Sequence, residues 1–393
     1  MRNRQHICML CFADIARATP VLRRIEYASR EYVVDVIGYG EWVPPWANVH
    51  FHSIKRHSRG RMDVLSTIVF LLFGRVVPNL WLKAYWSIPH HRQALRILRG
   101  KHYSMIHAND LDALPVSVIA AEKTGAKVLF DAHEYIPGQG TYSLGGRRLL
   151  YSGYIRHLLR QFGSRCQGFI TVGEGIASLY RRNFNLHPEV VMNASIPVDV
   201  EFRPVDPTHI RLINHGAAKP RRQLEKLIKM TEFLDRRYTV HFMLREDSYD
   251  YVQELKRCAA IMAPDRVFFR EPVLPSEVVS TVAEFDIGVH IPNPAVQNSR
   301  YALPNKFFDF IAAGLGVGIA PTSQEMVDIV MKHDIGIVAK GFEPRDLAEA
   351  LNSLTVNDIN QMKRNALKAS RSLNADVEMA KLMNIYRNIL EHN

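Results

Sequence analysis

The chain has 393 residues, 47% hydrophobic and 23% charged, a globular balance that can fill two domains. Lys and Arg number 50 against 39 Asp and Glu, and the net charge of +11 suits an anionic partner: a nucleoside diphosphate, a nucleic acid or an acidic membrane surface. Low-complexity tracts, collagen-like periods and fixed short repeats are excluded by the same composition.

The first residues carry Arg2 and Arg4 but no long apolar core, so no signal peptide is expected and a reduced cytoplasmic setting follows. The four cysteines, Cys8, Cys11, Cys166 and Cys258, are too scattered for a disulfide framework. Cys8-x-x-Cys11 lies in an apolar run and reads as buried thiols of a first strand. Strands are expected at 7–12, 33–37, 105–108, 127–131, 168–172 and 190–192, with helices such as 19–29 and 114–124 between them. This alternation predicts a parallel sheet covered by helices on both faces.

Residues 55–101 form a long link between two of those strands. The segment opens on Lys55, Arg56, Arg59 and Arg61, turns apolar over 64–73, and continues with Trp81, Tyr85, Trp86, Arg92, Arg96 and Arg99. The apolar run is too short for a membrane span. Two readings stay open: inserted helices packed on the domain, or an interfacial helix that meets an anionic membrane through Trp81, Tyr85 and Trp86. The basic helix over 147–165 reads as a solvated face.

A polar, proline-marked linker follows at 195–207, and the alternation restarts with strands at 210–214, 239–244, 267–269, 287–291, 316–320 and 336–338. The expected architecture is α/β: two Rossmann-like, doubly wound domains facing a central cleft. Residues 1–200, with a last amphipathic helix in 377–393, form the first domain, and 201–376 the second.

In the second domain, residues 301–320 read as a polar loop, a short helix with Pro304 in its first turn and Gly314 at its end, and a buried strand. Asn305 and Lys306 sit at the free N–H groups of that helix, where phosphate is attracted. Asp309, among Phe307, Phe308 and Phe310, needs a partner. It either pairs with Lys306 three residues back or accepts a ribose hydroxyl. Upstream, Asn214-His-Gly-Ala-Ala-Lys-Pro-Arg-Arg222 follows a strand. Gly216 allows a tight turn, and Lys219, Arg221 and Arg222 place cations that can hold a diphosphate.

These stretches resemble the donor-site signature of family 4 glycosyltransferases, retaining enzymes of the GT-B fold. The resemblance implies that Asp309 stands for the ribose-binding glutamate, one methylene shorter. It implies that Arg222 and Lys306 hold the diphosphate, with Gly216, Lys219, Pro304 and Asn305 around it. Pro272 and Val273, in Arg270-Glu-Pro-Val, are similar to the turn that meets the base. Asp131-Ala-His133-Glu134 resembles the motif whose histidine lies near the donor sugar. The family's last helix crosses back onto the first domain. Two departures stand out: Tyr301 replaces a second glutamate and Ala217 a cationic residue. The loop Asn298-Ser-Arg300 is the candidate substitute for the former.

Asn109-Asp110-Leu-Asp112 holds an Asp-x-Asp of the kind that binds metal and nucleotide in the other large glycosyltransferase fold, but capping of the next helix is its expected use. No metal and no cofactor beyond the nucleoside-diphosphate sugar is expected. The partners implied are a saccharide or lipid-linked saccharide acceptor and an anionic membrane surface, with no nucleic acid. The implied activity is sugar transfer in cell-surface polysaccharide or glycolipid assembly. A catalytically silent nucleotide-sugar binder and a sugar-nucleotide epimerase of the same fold are the alternatives.

Overall fold

The computed structural model describes residues 4–56, 61–139, 145–245 and 249–391, with backbone alone for 61–63 and 145–150. The chain divides into two compact units, Met1–Val191 with Met379–Asn393, and Met192–Glu378.

In the first unit, β1 (His6–Asp14), β2 (Val33–Tyr39), β3 (Val49–Ser53), β4 (Met105–Asn109), β5 (Lys127–Ala132), β6 (Gly168–Thr171) and β7 (Glu189–Val190) lie in the order 3-2-1-4-5-6-7. All the pairings are parallel. A parallel sheet is buried on both faces, which is why Ile7 to Leu10 is an unbroken apolar run with no exposed residue. Cys8 and Cys11, three apart on β1, point to opposite faces, and both are buried free thiols. Strand β3 was not anticipated: Val-His-Phe-His-Ser alternates as an edge strand does and lacks the buried-strand signature.

The helices of this unit are α1 (Thr19–Glu31), α2 (Arg61–Phe73), α3 (Asn79–Trp86), α4 (Pro89–Arg99), α5 (Asp110–Thr124), α6 (Gly145–Phe162) and α7 (Glu174–Phe184). Three helices thus occupy the long link, and the interfacial role expected of Trp81 and Tyr85 is corrected, because both are buried. The Tyr85 hydroxyl donates to the Asp112 carbonyl at 2.6 Å and accepts from the Val116 N–H at 3.3 Å. It is inserted into the α5 ladder beside Pro115, which cannot donate. Helix α5 starts at Asp110, so Asp110 and Asp112 lie inside its first turn and do not cap it; Asn109 holds the cap position.

The second unit contains β8 (Ile210–Ala217), β9 (Tyr238–Arg245), β10 (Val267–Arg270), β11 (Ile287–His290), β12 (Gly316–Ile319) and β13 (Gly336–Val338), in the order 10-9-8-11-12-13, again parallel throughout. Its helices are α8 (Glu225–Lys229), α9 (Tyr249–Met262), α10 (Val278–Val282), α11 (Asn305–Ala312), α12 (Gln324–His333), α13 (Pro344–Asn352) and α14 (Val356–Ser370). Helix α8 is short, and a 3₁₀ turn at Met230–Glu232 follows it directly.

Helix α15 (Ala375–Glu391) begins in the second unit and ends in the first. There Leu382, Met383, Tyr386 and Ile389 join the core, and the Tyr386 hydroxyl lies 2.5 Å from His107 Nδ1.

Each sheet reverses its strand order once, between β1 and β4 and between β8 and β11. Such reversals open a crevice at the carboxyl ends of the strands, where open α/β sheets bind ligands. A buried asparagine bridges each reversal. Asn109 Nδ2 donates to the Leu10 carbonyl at 3.2 Å, and Asn214 Nδ2 to the Val289 carbonyl at 2.7 Å.

Candidate functional site

The second unit's crevice is built on β8. Its final residues run Asn214, His215, Gly216 and Ala217, and the backbone turns at Gly216 with φ of 103°. That conformation favours glycine. A methyl group on Gly216 would sit 3.9 Å from both Arg222 Nη1 and Lys306 Cε, so two cationic side chains flank one stretch of bare backbone. Arg222 ends the 3₁₀ turn Pro220–Arg222, its N–H donates to the Lys219 carbonyl at 2.9 Å, and its guanidinium donates to the Ala217 carbonyl at 3.0 Å. Lys219 is half-buried in the same turn.

Helix α11 supplies the opposite side. Pro304 is its N-cap, not a first-turn residue as expected, and no side chain caps the helix. The exposed Asn305 and the buried Lys306 therefore lead a helix tip with positive dipole character. The helix is anchored by buried Phe307, Phe308 and Phe310. It ends where Gly314 takes φ of 67° and the Leu315 N–H reaches back to the Phe310 carbonyl at 3.0 Å. Lys306 Nζ donates to Asn214 Oδ1 at 3.0 Å. One asparagine thus holds both the strand reversal and the lysine.

Asp309, one turn further along α11, accepts from Ser195 Oγ at 2.5 Å and lies 3.5 Å from His215 Nε2. Burial, then Lys306 and Arg222, push the His215 pKa down to about 3, so this imidazole is neutral near pH 7 and its contact with Asp309 is no ion pair. The same neighbours act on Lys306. Burial and Arg222 pull its pKa well below the ordinary lysine range, and Asp309 opposes them. His290, at the end of β11, is also held neutral, by burial, Lys306, Arg222 and His215. Among the groups that act on these three side chains, Asp309 alone is negative.

Pro272 and Val273 follow β10 at the sheet's edge. Pro272 is exposed, while Val273 packs against the apolar cluster that contains Phe307. Asn298 is buried in a 3₁₀ turn, and its carbonyl accepts the Tyr301 N–H at 3.1 Å. The structure therefore brings Gly216, Arg222, Lys306 and Asp309 together, with Lys219, Pro304 and Asn305 adjoining. Asn298 and Tyr301 form the loop leading to α11. Sequence reasoning missed Asn214, His215 and Ser195 as members of this site. Asn214 and His215 were readable as polar residues ending a buried strand; Ser195, in the linker, left no local signal.

His133 belongs to the first unit, just beyond β5. Its Nε2 is 3.7 Å from Asp131 Oδ2, and burial lowers its pKa to about 4. Burial would raise Asp131, but Arg24, its buried partner at 2.8 Å, and the two neighbouring histidines hold it well below the usual range. Asp110 goes the other way. Burial, then Asp131, Glu134 and Asp112, push its carboxyl up to about 7. Among the described residues no three His, Cys, Asp or Glu side chains converge as a metal site would require.

Residues 23–202 match the family model described as Glycosyltransferase Family 4. No curated protein matches the chain in sequence. Among solved structures the chain is similar to HepE of Anabaena in complex with UDP and glucose, with a TM-score of 0.69 at 13% identity over 98% of this chain and 99% of that one. It is similar to sucrose-phosphate synthase of Thermosynechococcus elongatus, with 0.76 at 12% identity over 99% and 100%. It is also similar to the lipopolysaccharide outer core galactosyltransferase WaaB, with 0.66 at 10% identity over 98% and 99%. At such identities the likeness is one of fold. The chain has the two-unit GT-B architecture of Rossmann-like domains, and its residues 23–202 are similar to Glycosyltransferase Family 4.

Proposed function

We propose that the chain is a glycosyltransferase that moves a sugar from a nucleoside diphosphate to an acceptor hydroxyl, with retention and without a bound metal. The observation that carries this reading is the convergence of Arg222, Lys306 and an uncapped helix tip on bare backbone at Gly216, in the crevice where β8 and β11 part. Charge that builds on a leaving diphosphate is stabilised there by groups already in place. Asp309, oriented by Ser195 and His215, accepts from the ribose hydroxyls. Val273 and Pro272 are assigned to the base, Asn298 and Tyr301 to the donor sugar's loop, and His133 to the donor sugar.

HepE, solved with UDP and glucose, and WaaB, a lipopolysaccharide galactosyltransferase, support a nucleotide-sugar donor and a cell-surface acceptor, saccharide or lipid-linked saccharide. In this reading the chain works in the cytoplasm beside an anionic membrane surface, and nucleic acid is not a partner. Incubation with nucleoside-diphosphate sugars should release nucleoside diphosphate, faster with a saccharide acceptor and equally well after chelation. Dependence on manganese would remove the metal-free mechanism.

A second reading, a binder without activity, is favoured by Tyr301 and Ala217 at positions where family members carry charge. Tight donor binding with no release under any acceptor would select it.

A further inference from the structure

Helix α2 turns its apolar side outward. Val64, Leu65, Ile68, Val69, Leu72 and Phe73 are all exposed, Leu65 by 57% and Phe73 by 60%. Their spacing of one, three and four puts them on one side of the helix. The inward side is the more polar one: Thr67 is buried and meets Ser87 Oγ at 2.9 Å. Val76, 82% exposed, and Val77 extend the apolar surface beyond the helix. Monomeric proteins rarely show contiguous apolar surface of this kind.

The charge around it is one-sided. Residues 64–109, which supply most of α2 and all of α3 and α4, contain six Lys or Arg and no Asp or Glu. Residues 135–173, which supply α6, contain five Lys or Arg and again no acid. These two stretches carry as many positive charges as the whole chain's net of +11. Helix α6 packs against α2, and beside them lies an open cavity of about 510 Å³ lined by Pro78, Trp81, Arg156, His157, Arg160 and Gln161. Trp81 is fixed as its wall, because the indole N–H donates to the Leu71 carbonyl of α2 at 3.1 Å.

We propose that the exposed side of α2 seats in the interface of an anionic bilayer and that the Arg156–Arg160 cavity beside it receives a lipid phosphodiester headgroup. This deepens the membrane part of the reading above and stands whether or not the chain transfers sugar. A bilayer interface takes up an apolar helix side while nearby cations face anionic headgroups. A second copy of the chain would instead bring two surfaces of net positive charge together. Spanning is excluded for α2: at 13 residues it is about 20 Å long, short of a hydrocarbon core of about 30 Å. No helix among the described residues is long and apolar enough to cross a membrane.

Co-sedimentation of the full chain with phosphatidylcholine vesicles, with and without phosphatidylglycerol, is the test, and it needs no sugar donor. The chain should pellet with the anionic vesicles roughly tenfold better than with the neutral ones, and less so at high salt. Leu65→Ser with Leu72→Ser, both on the exposed side, should abolish pelleting without shifting the melting temperature. Arg156→Gln with Arg160→Gln should remove the preference for anionic vesicles. A wild-type chain that stays in the supernatant with both vesicle types overturns the proposal. So does a concentration-dependent dimer, seen by sedimentation without lipid, that the double serine variant dissolves. An undiminished anionic preference in the arginine variant overturns the headgroup site.

Discussion

Lys306 is an amine held where its charged form is costly. It is buried beside Arg222, and only Asp309 opposes the depression of its pKa. A diphosphate entering beside Gly216 would supply the missing negative charge and raise that pKa. At pH values around and above its lowered pKa, binding should then take up a proton, which calorimetry in buffers of different ionisation enthalpy reads directly; Lys306→Met should lose the uptake. Arg222→Ala and Lys306→Ala should each weaken nucleoside diphosphate binding by about 1.5–3 kcal/mol and leave the bare nucleoside nearly unaffected. At Asp309, replacement by Asn keeps the shape but removes an oxygen that Ser195 and a ribose hydroxyl can share. Asp309→Asn should bind ribonucleotides less tightly, with a smaller loss for 2′,3′-dideoxy analogues. An equal loss for both would show that Asp309 serves the helix and not the ribose.

At the scale of elements, the site depends on how β8 and α11 are locked together. Asn214 donates to the Val289 carbonyl on β11 and accepts from Lys306 on α11, all away from solvent. Removing it would leave a buried carbonyl and an ammonium without a partner. Asn214→Ala should therefore cost about 1–3 kcal/mol of stability in denaturant unfolding, as well as weakening diphosphate binding. Buried parallel strands are legible in sequence because both faces must be apolar, and all six strands expected in the second half are present. The edge strand β3, half solvated and alternating, was not legible. The helix tip was legible from Pro304 to Gly314 because proline and glycine mark backbone geometry. Its partners were not, since nothing local in Ser195 or Asn214 says which distant side chain each will meet. The outward apolar side of α2 was hidden for a related reason: the run 64–73 has no polar stripe, so periodicity does not say which side faces water.

For the whole molecule, buried histidines set the response to acid. His133, His215 and His241 have pKa values lowered to about 4, 3 and 4, chiefly by burial. A histidine whose folded pKa lies below its unfolded value of about 6.5 contributes stability above that pH, lost as pH falls toward the folded pKa. Asp110, raised to about 7, has the opposite sign: its contribution declines as pH rises from about 4 to about 7. These histidines, with His107 and His290 depressed in the same direction, outnumber Asp110 and predict a net loss on acidification, so thermal unfolding should occur at lower temperature at pH 5 than at pH 7.5. Asp110→Asn should steepen that loss, because it removes the one opposing contribution. The measurement that bears most directly on the central claim is calorimetric titration of the intact chain with nucleoside diphosphates. One site per chain is predicted, with affinity lowered roughly 10- to 150-fold by Arg222→Ala. No binding of any nucleoside diphosphate at millimolar concentration, or binding that Arg222→Ala, Lys306→Ala and Asp309→Asn all leave unchanged, would contradict it.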